Sequence, residues 1–101
     1  MVDLSANVVT VIQKIFRESD RPAASELLRH ELADNLPHMR EIYDPVRFDR
    51  VRMAALKLSN GNMEKLMKAI ALGKKDWRDL LMTAGLGQLD AHLDWYLSIS
   101  A

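Results

Sequence analysis

Apolar residues recur every three or four positions along almost the whole chain, and this spacing constrains the fold more than any other feature. Leu4, Val8, Val11 and Ile15 show it near the start of the sequence. Side chains at this spacing share one face of an α-helix, whereas strands would need a sustained alternation of apolar and polar residues. The sequence therefore predicts an all-α fold, a compact irregular bundle of five or six short helices. Its 101 residues suit one helical domain, over 1–101.

Residues that start and stop helices divide this pattern into segments. The first helix is expected to be capped by Ser5 or Asp3, since short polar side chains accept hydrogen bonds from the free N–H groups of a first turn. The second helix is expected to start near Pro22, with Leu36 on its core face and Pro37 closing it.

A third helix follows a loop or short helical turn over 37–44. Asp44-Pro45 predicts its start, and Asn60-Gly61 predicts its end, because glycine accepts the left-handed conformation at a helix end. Apolar residues occupy much of the circumference of this helix. It is therefore expected to be the central helix of the bundle.

Three further helices are expected after the third. The fourth is predicted to be capped by Asn62 and to end over Gly73-Lys74-Lys75, and the fifth to be capped by Asp76. Asp79 has the spacing that lets a carboxylate bond back to the cap residue. The sixth is predicted over about 88–98, with a core face that carries Leu89, Leu93, Tyr96 and Leu97.

Part of the chain carries a more specific pattern: Arg50-Val51, Leu56-Lys57-Leu58-Ser59 and, at 76–79, Asp-x-Arg-Asp. This pattern resembles a group of short bacterial proteins of unassigned function. Those relatives often have Tyr where this chain has Trp77, and they end soon after that helix, whereas this chain continues into another. The resemblance implies a bacterial, cytoplasmic origin, and it brings no activity and no catalytic residues with it.

The composition excludes several classes of protein. The chain has no Cys, which excludes disulfides, thiolate zinc sites and a Cys nucleophile. Its 14 basic and 14 acidic residues cancel, so no long-range attraction to nucleic acid or to an anionic membrane is expected. No apolar run is long enough to span a bilayer, and the first segment lacks the pattern of a signal peptide. We therefore expect a soluble cytoplasmic protein without membrane contact.

The polar residues form no recognisable catalytic or metal-binding motif. His38 and Glu41 have i, i+3 spacing, but no established zinc spacing is present. Asp90 and Asp94 share a helix face from which His92 should point away. The sequence therefore predicts no catalytic residue, no cofactor, no metal ligand and no enzyme, and leaves a small enzyme or ligand-binding protein as the least favoured alternative.

Basic residues outnumber acidic ones between Arg47 and Arg78, and Arg47, Arg50 and Lys57 fall within one arc of the third helix. A solvated face paired with acidic flanks is the simplest interpretation. A protein partner is the first alternative. A nucleic-acid-associated regulator that uses this basic region, 47–78, is less favoured, because no helix shows the polar cluster that reads bases.

Large aromatic residues next to arginines are typical of protein interfaces, where the aromatic group supplies affinity and rim charges orient the partner. The sequence therefore favours a non-catalytic domain that binds an unknown protein partner or itself, with a homodimer as the simplest form. The candidate interaction surface is composed of Arg47, Arg50, Trp77, Arg78, Trp95 and Tyr96.

Overall fold

A computed structural model describes residues 3–33, 45–88 and 90–100. In these ranges the chain forms six α-helices and no strand, which confirms the predicted all-α bundle. None of these helices is long and apolar enough to cross a membrane. A 3₁₀ turn, Glu18–Asp20, precedes the second helix. The helices are α1 (Ala6–Ile15), α2 (Arg21–Glu31), α3 (Pro45–Ser59), α4 (Met63–Lys75), α5 (Trp77–Thr83) and α6 (Ala91–Ser100).

Side-chain caps begin three of the helices, as the sequence predicts. Ser5 caps α1 and Asn62 caps α4, each accepting from the backbone N–H three residues later, at 3.2 and 2.9 Å. Asp76 caps α5, where its Oδ1 accepts from a backbone N–H two residues later at 3.0 Å. The predicted return bond from Asp79 is not made, because the Asp76 N–H donates to the carbonyl of Leu72.

Helix α3 occupies the centre of the bundle. It contacts α1, α4, α5 and α6, and every residue from 51 to 56 is buried. A helix at the surface would expose part of such a run. The prediction of a central third helix is therefore confirmed, although the expected cap at Asp44 lies outside the described residues.

The turn between α3 and α4 is tight because two consecutive residues adopt positive φ, 46° at Asn60 and 81° at Gly61. A Cβ on Gly61 would overlap the carbonyl oxygen of Ile15. The Asn-Gly pair thus ends α3 as predicted, and it also brings the turn against the end of α1.

Helix α2 ends earlier than predicted. Its last residue is Glu31, and Leu32 leaves the helical conformation with φ −116° and ψ 74°. The carbonyl of Leu32 accepts a hydrogen bond from Nε of Arg52 at 3.0 Å, so the packing of α3 holds this end of α2. Leu36, Pro37 and the loop predicted over 37–44 lie outside the described residues.

The predicted end of α4 over Gly73-Lys74-Lys75 is confirmed, because its last residue is Lys75 and both lysines lie in its last turn. Gly73 is buried inside α4, and a Cβ there would lie 2.8 Å from Leu80 Cδ2 and 3.0 Å from Leu32 Cδ2. The glycine therefore serves close packing of α4 against α2 and α5.

The predicted core face of α6 is confirmed at Tyr96, which packs against the core, but is wrong for its two described leucines. Leu93 and Leu97 are 40% and 62% exposed, and Leu89 lies outside the described residues. The inward face instead carries His92, Trp95, Tyr96 and Ile99. Aromatic side chains bury more apolar area than leucines, so this rotation of α6 against α1 and α3 is favoured.

Candidate functional site

Four of the six predicted interaction residues lie on the surface that α3 and α5 form together. Trp77, at the start of α5, is half-buried and packs on the core. The guanidinium groups of Arg47 and Arg78 lie over its ring, 5.1 and 6.0 Å from the ring centroid. Such cation–π contacts contribute about 0.5–1 kcal/mol at exposed sites. They hold both cations in defined positions at the protein surface.

Arg50 extends this cluster toward the end of α5. Its Nη2 donates to the carbonyl of Gly87 at 3.1 Å. Next to that residue is Met82, whose side chain is 71% exposed and whose Sδ would lie 2.8 Å from a Cβ on Gly87. We define the α3–α5 face as the surface formed by Arg47, Arg50, Trp77, Arg78 and Met82.

The end of α5 gives Arg50 a structural role as well. Gly85, with φ 74°, closes the helix, since its N–H donates to Met82 O and the next N–H donates to Leu81 O, the pattern of a Schellman motif. Lys57 Nζ would lie 3.6 Å from a Cβ on Gly85. Cations are stabilised at the carbonyl end of a helix, so Lys57 and Arg50 neutralise this end.

The cations of the predicted basic region differ in their surroundings. Lys68 and Lys74 pair with carboxylates, those of Glu64 at 3.6 Å and Glu31 at 2.6 Å, and Arg78 is 3.6 Å from the carboxylate of Asp76. Three cations of α3 reach α5 or the turn after it: Arg47, Arg50 and Lys57. None of them forms an ion pair among the described residues. The α3–α5 face therefore carries unpaired positive charge at Arg47 and Arg50, and Lys65 and Lys75 on α4 are likewise outside any ion pair among the described residues.

The guanidinium groups of Arg47 and Arg50 have few protein acceptors. Their Nε atoms are buried without a hydrogen-bond partner in the described ranges. Because stacking on an aromatic ring uses the face of a guanidinium, the N–H groups at its edge stay available for bidentate bonds to carboxylates. The terminal nitrogens of Arg47 are thus suited to bind an acidic group from outside the chain.

Trp95 and Tyr96, the other two predicted interaction residues, have a packing role in the structure. Both lie on α6, half-buried against the core, and α6 contacts α1 and α3. The exposed face of this helix, with the residue just before it, carries the leucines that were expected inside and two carboxylates. These residues are Asp90, Leu93, Asp94 and Leu97.

Arg52 is a buried cation that the sequence analysis did not single out. Its side chain is fully buried, and its Nε and Nη1 donate to the carbonyls of Leu32 and Asp3 at 3.0 and 2.8 Å. Burial lowers the pKa of Arg52, against the attraction of the Asp49 and Asp3 carboxylates, which raises it. The apolar residues on both sides of it, Val51 and those at 53–56, were the signal in the sequence that position 52 is buried. Arg52 binds the backbone before α1, at Asp3, and at the end of α2, at Leu32. It is not part of the α3–α5 face.

The concavities of the described residues lie elsewhere. One is an open polar hollow of 570 Å³ beside the Arg17–Asp20 ion pair. Two apolar grooves of 220 and 240 Å³ run along α4. His30 pairs with Glu26 at 2.9 Å, and in the described part of the chain no three His, Asp or Glu side chains are grouped to hold a metal ion. His38 and Glu41 lie outside that part.

No family model, curated protein or solved structure matches the chain. A function can therefore be inferred only from the geometry of the described residues. The resemblance to short bacterial proteins stays a prediction.

Proposed function

We propose that the chain is a non-catalytic protein-interaction domain that binds its partner through the α3–α5 face. The observation that carries this proposal is the Trp77 ring beneath the guanidinium groups of Arg47 and Arg78. Tryptophan and arginine are the residues that most often dominate the binding energy of protein interfaces. The exposed Met82 adds apolar area that adapts to the shape of a partner.

The charge of the face indicates what kind of partner it binds. Arg47 and Arg50 have no ion pair in the described ranges, and the ion pair of Arg78 there is with the half-buried Asp76. A partner that brings carboxylates would be attracted, and its register would be fixed by bidentate bonds. We therefore expect an acidic surface with an apolar centre. A cytoplasmic location accords with the absence of Cys from the sequence.

A nucleic-acid-associated regulator is the second candidate, and the same unpaired cations favour it. Binding of single strands usually requires aromatic rings on which bases stack. At Trp77 two guanidinium groups already lie over the ring. This arrangement favours a protein partner over nucleic acid.

Affinity capture with matched variants tests the proposal. Tagged wild-type chain, the double variant Arg47→Glu/Arg78→Glu and the control Lys65→Glu/Lys68→Glu on α4 are each exposed to lysate, untreated and nuclease-treated in parallel, that also contains the untagged form of the same chain or variant. The control makes the same change in charge at exposed positions of another face. Circular dichroism melts show that all three chains are folded.

We expect a protein that the wild type and the control retain and that the double variant loses. Retention by all three chains would contradict the role of the α3–α5 face. A ligand that disappears on nuclease treatment, with binding that weakens steeply as salt is raised, would support the nucleic-acid alternative instead.

A further inference from the structure

Helix α6 presents a second surface whose chemistry is opposite to that of the α3–α5 face. Asp90, Leu93, Asp94 and Leu97 follow the i, i+3, i+4, i+7 spacing of one helix face, and all four are exposed. Neither carboxylate takes part in an ion pair among the described residues. We call these four residues the α6 stripe.

The two surfaces complement each other in charge and in apolar area. The α3–α5 face carries unpaired guanidinium groups beside Met82, and the α6 stripe carries unpaired carboxylates beside leucines that are 40% and 62% exposed. The chain as a whole has a formal net charge of +0, so two copies do not repel each other. A net charge near zero with separated patches of each sign promotes association between copies.

We infer that the α6 stripe of one copy binds the α3–α5 face of a second copy. This inference rests on the proposed function and names the partner as the same chain. Asp90 and Asp94 pair with Arg47 and Arg78, while Leu93 and Leu97 cover the apolar part of the face. Because the two surfaces are different parts of the chain, a reciprocal contact gives a closed dimer and a one-way contact gives a head-to-tail chain of copies.

A charge exchange between the two surfaces tests the contact. One variant carries Arg47→Glu/Arg78→Glu, and the other carries Asp90→Lys/Asp94→Lys. Sedimentation velocity follows each chain, and their mixture, over a series of concentrations. Each variant alone places like charges opposite each other, whereas in the mixture the altered surfaces again have opposite signs.

We expect the wild type and the Lys65→Glu/Lys68→Glu control to self-associate. Each surface variant alone should associate at least tenfold more weakly, and the mixture should associate again. Raising the salt from about 0.05 M to 0.5 M should weaken the wild-type contact, because exposed charge pairs are screened. Leu97→Ser, at an exposed position, should weaken association without lowering the melting temperature.

Two outcomes would overturn the inference: a wild type that stays monomeric up to about 1 mM, the weak limit of specific binding, or a mixture that associates no better than its components. If the wild type is monomeric but its α3–α5 face retains a different protein in the capture experiment, the inference fails and the proposed function stands. If neither self-association nor capture depends on Arg47 and Arg78, both fail.

Discussion

Replacing Gly61 with alanine should lower the free energy of unfolding by about 2–5 kcal/mol, from two separate causes. The first is backbone strain, since φ is 81° at this residue and a side chain in the left-handed region costs about 1–2 kcal/mol. The second is overlap, because the new Cβ would collide with the carbonyl oxygen of Ile15 and lie 3.2 Å from the carbonyl carbon of that residue. Forcing a packed turn to shift costs about 1–3 kcal/mol.

Gly85 separates these two causes. Its φ is 74°, so alanine there is strained to a similar degree, but the nearest heavy atom to its Cβ is Lys57 Nζ at 3.6 Å, an ordinary contact. Gly85→Ala should therefore lose only the strain contribution, about 1–2 kcal/mol. The difference between the two variants measures the close approach of the α3–α4 turn to α1.

Urea unfolding followed by circular dichroism gives both free energies, and the melting temperature provides a second measure. The loss expected for Gly61→Ala corresponds to a fall of about 10–30 °C in a domain of this size. Equal losses in the two variants would refute the reasoning, because they would leave no energy for the contact with Ile15. A Gly61→Ala chain as stable as the wild type would refute the strain argument too.

Two more predictions concern Arg52 and Asp3. Arg52→Met removes the donors to the carbonyls of Leu32 and Asp3. The buried Leu32 carbonyl left without a donor costs about 1–3 kcal/mol and the part-buried bond to Asp3 about 1 kcal/mol, so urea unfolding should show a loss of about 2–4 kcal/mol; an unchanged midpoint would contradict it. The backbone N–H of Leu4 and the guanidinium of Arg29 hold the pKa of Asp3 below its ordinary value, so its stabilisation is present above about pH 4 and is lost as the pH falls through the lowered pKa. The difference in urea midpoint between wild type and Asp3→Asn should therefore be smaller at about pH 2 than at about pH 7. A difference that is constant with pH would show that the charge of Asp3 does not stabilise the fold.

Local signals explain why most of the fold could be predicted. Ser5, Asn62 and Asp76 cap helices through bonds to N–H groups two or three residues away, and such bonds depend only on neighbouring sequence. The stop at Asn60-Gly61 is local as well. These elements form wherever the chain has helical spacing around them.

The errors come from positions where tertiary packing decides. Gly73 was expected only as part of the helix end over 73–75, but the space it leaves is filled by Leu32 and Leu80, which only the folded bundle brings together. On α6, apolar residues surround most of the helix, so the sequence allows two inward faces. The bundle selects the one with Trp95 and Tyr96.

The candidate site was predictable in its residues but not in its arrangement. Arg47, Trp77 and Arg78 could be chosen from residue type and charge. Their stacking joins α3 to α5. The bond from Arg50 to the carbonyl of Gly87 likewise joins residues that are 37 positions apart. No spacing rule reaches across such a separation.

The hydrogen bonds that Arg52 donates to the carbonyls of Leu32 and Asp3 also bear on how the chain is made. Its acceptors lie 20 and 49 residues earlier in the sequence, and a ribosome adds about 5–20 residues per second. For the seconds before α3 emerges, α1 and α2 lack the hydrogen bonds that Arg52 donates beside them. A nascent chain that stalls before residue 52 would therefore present α1 and α2 to chaperones and proteases as an unfinished pair.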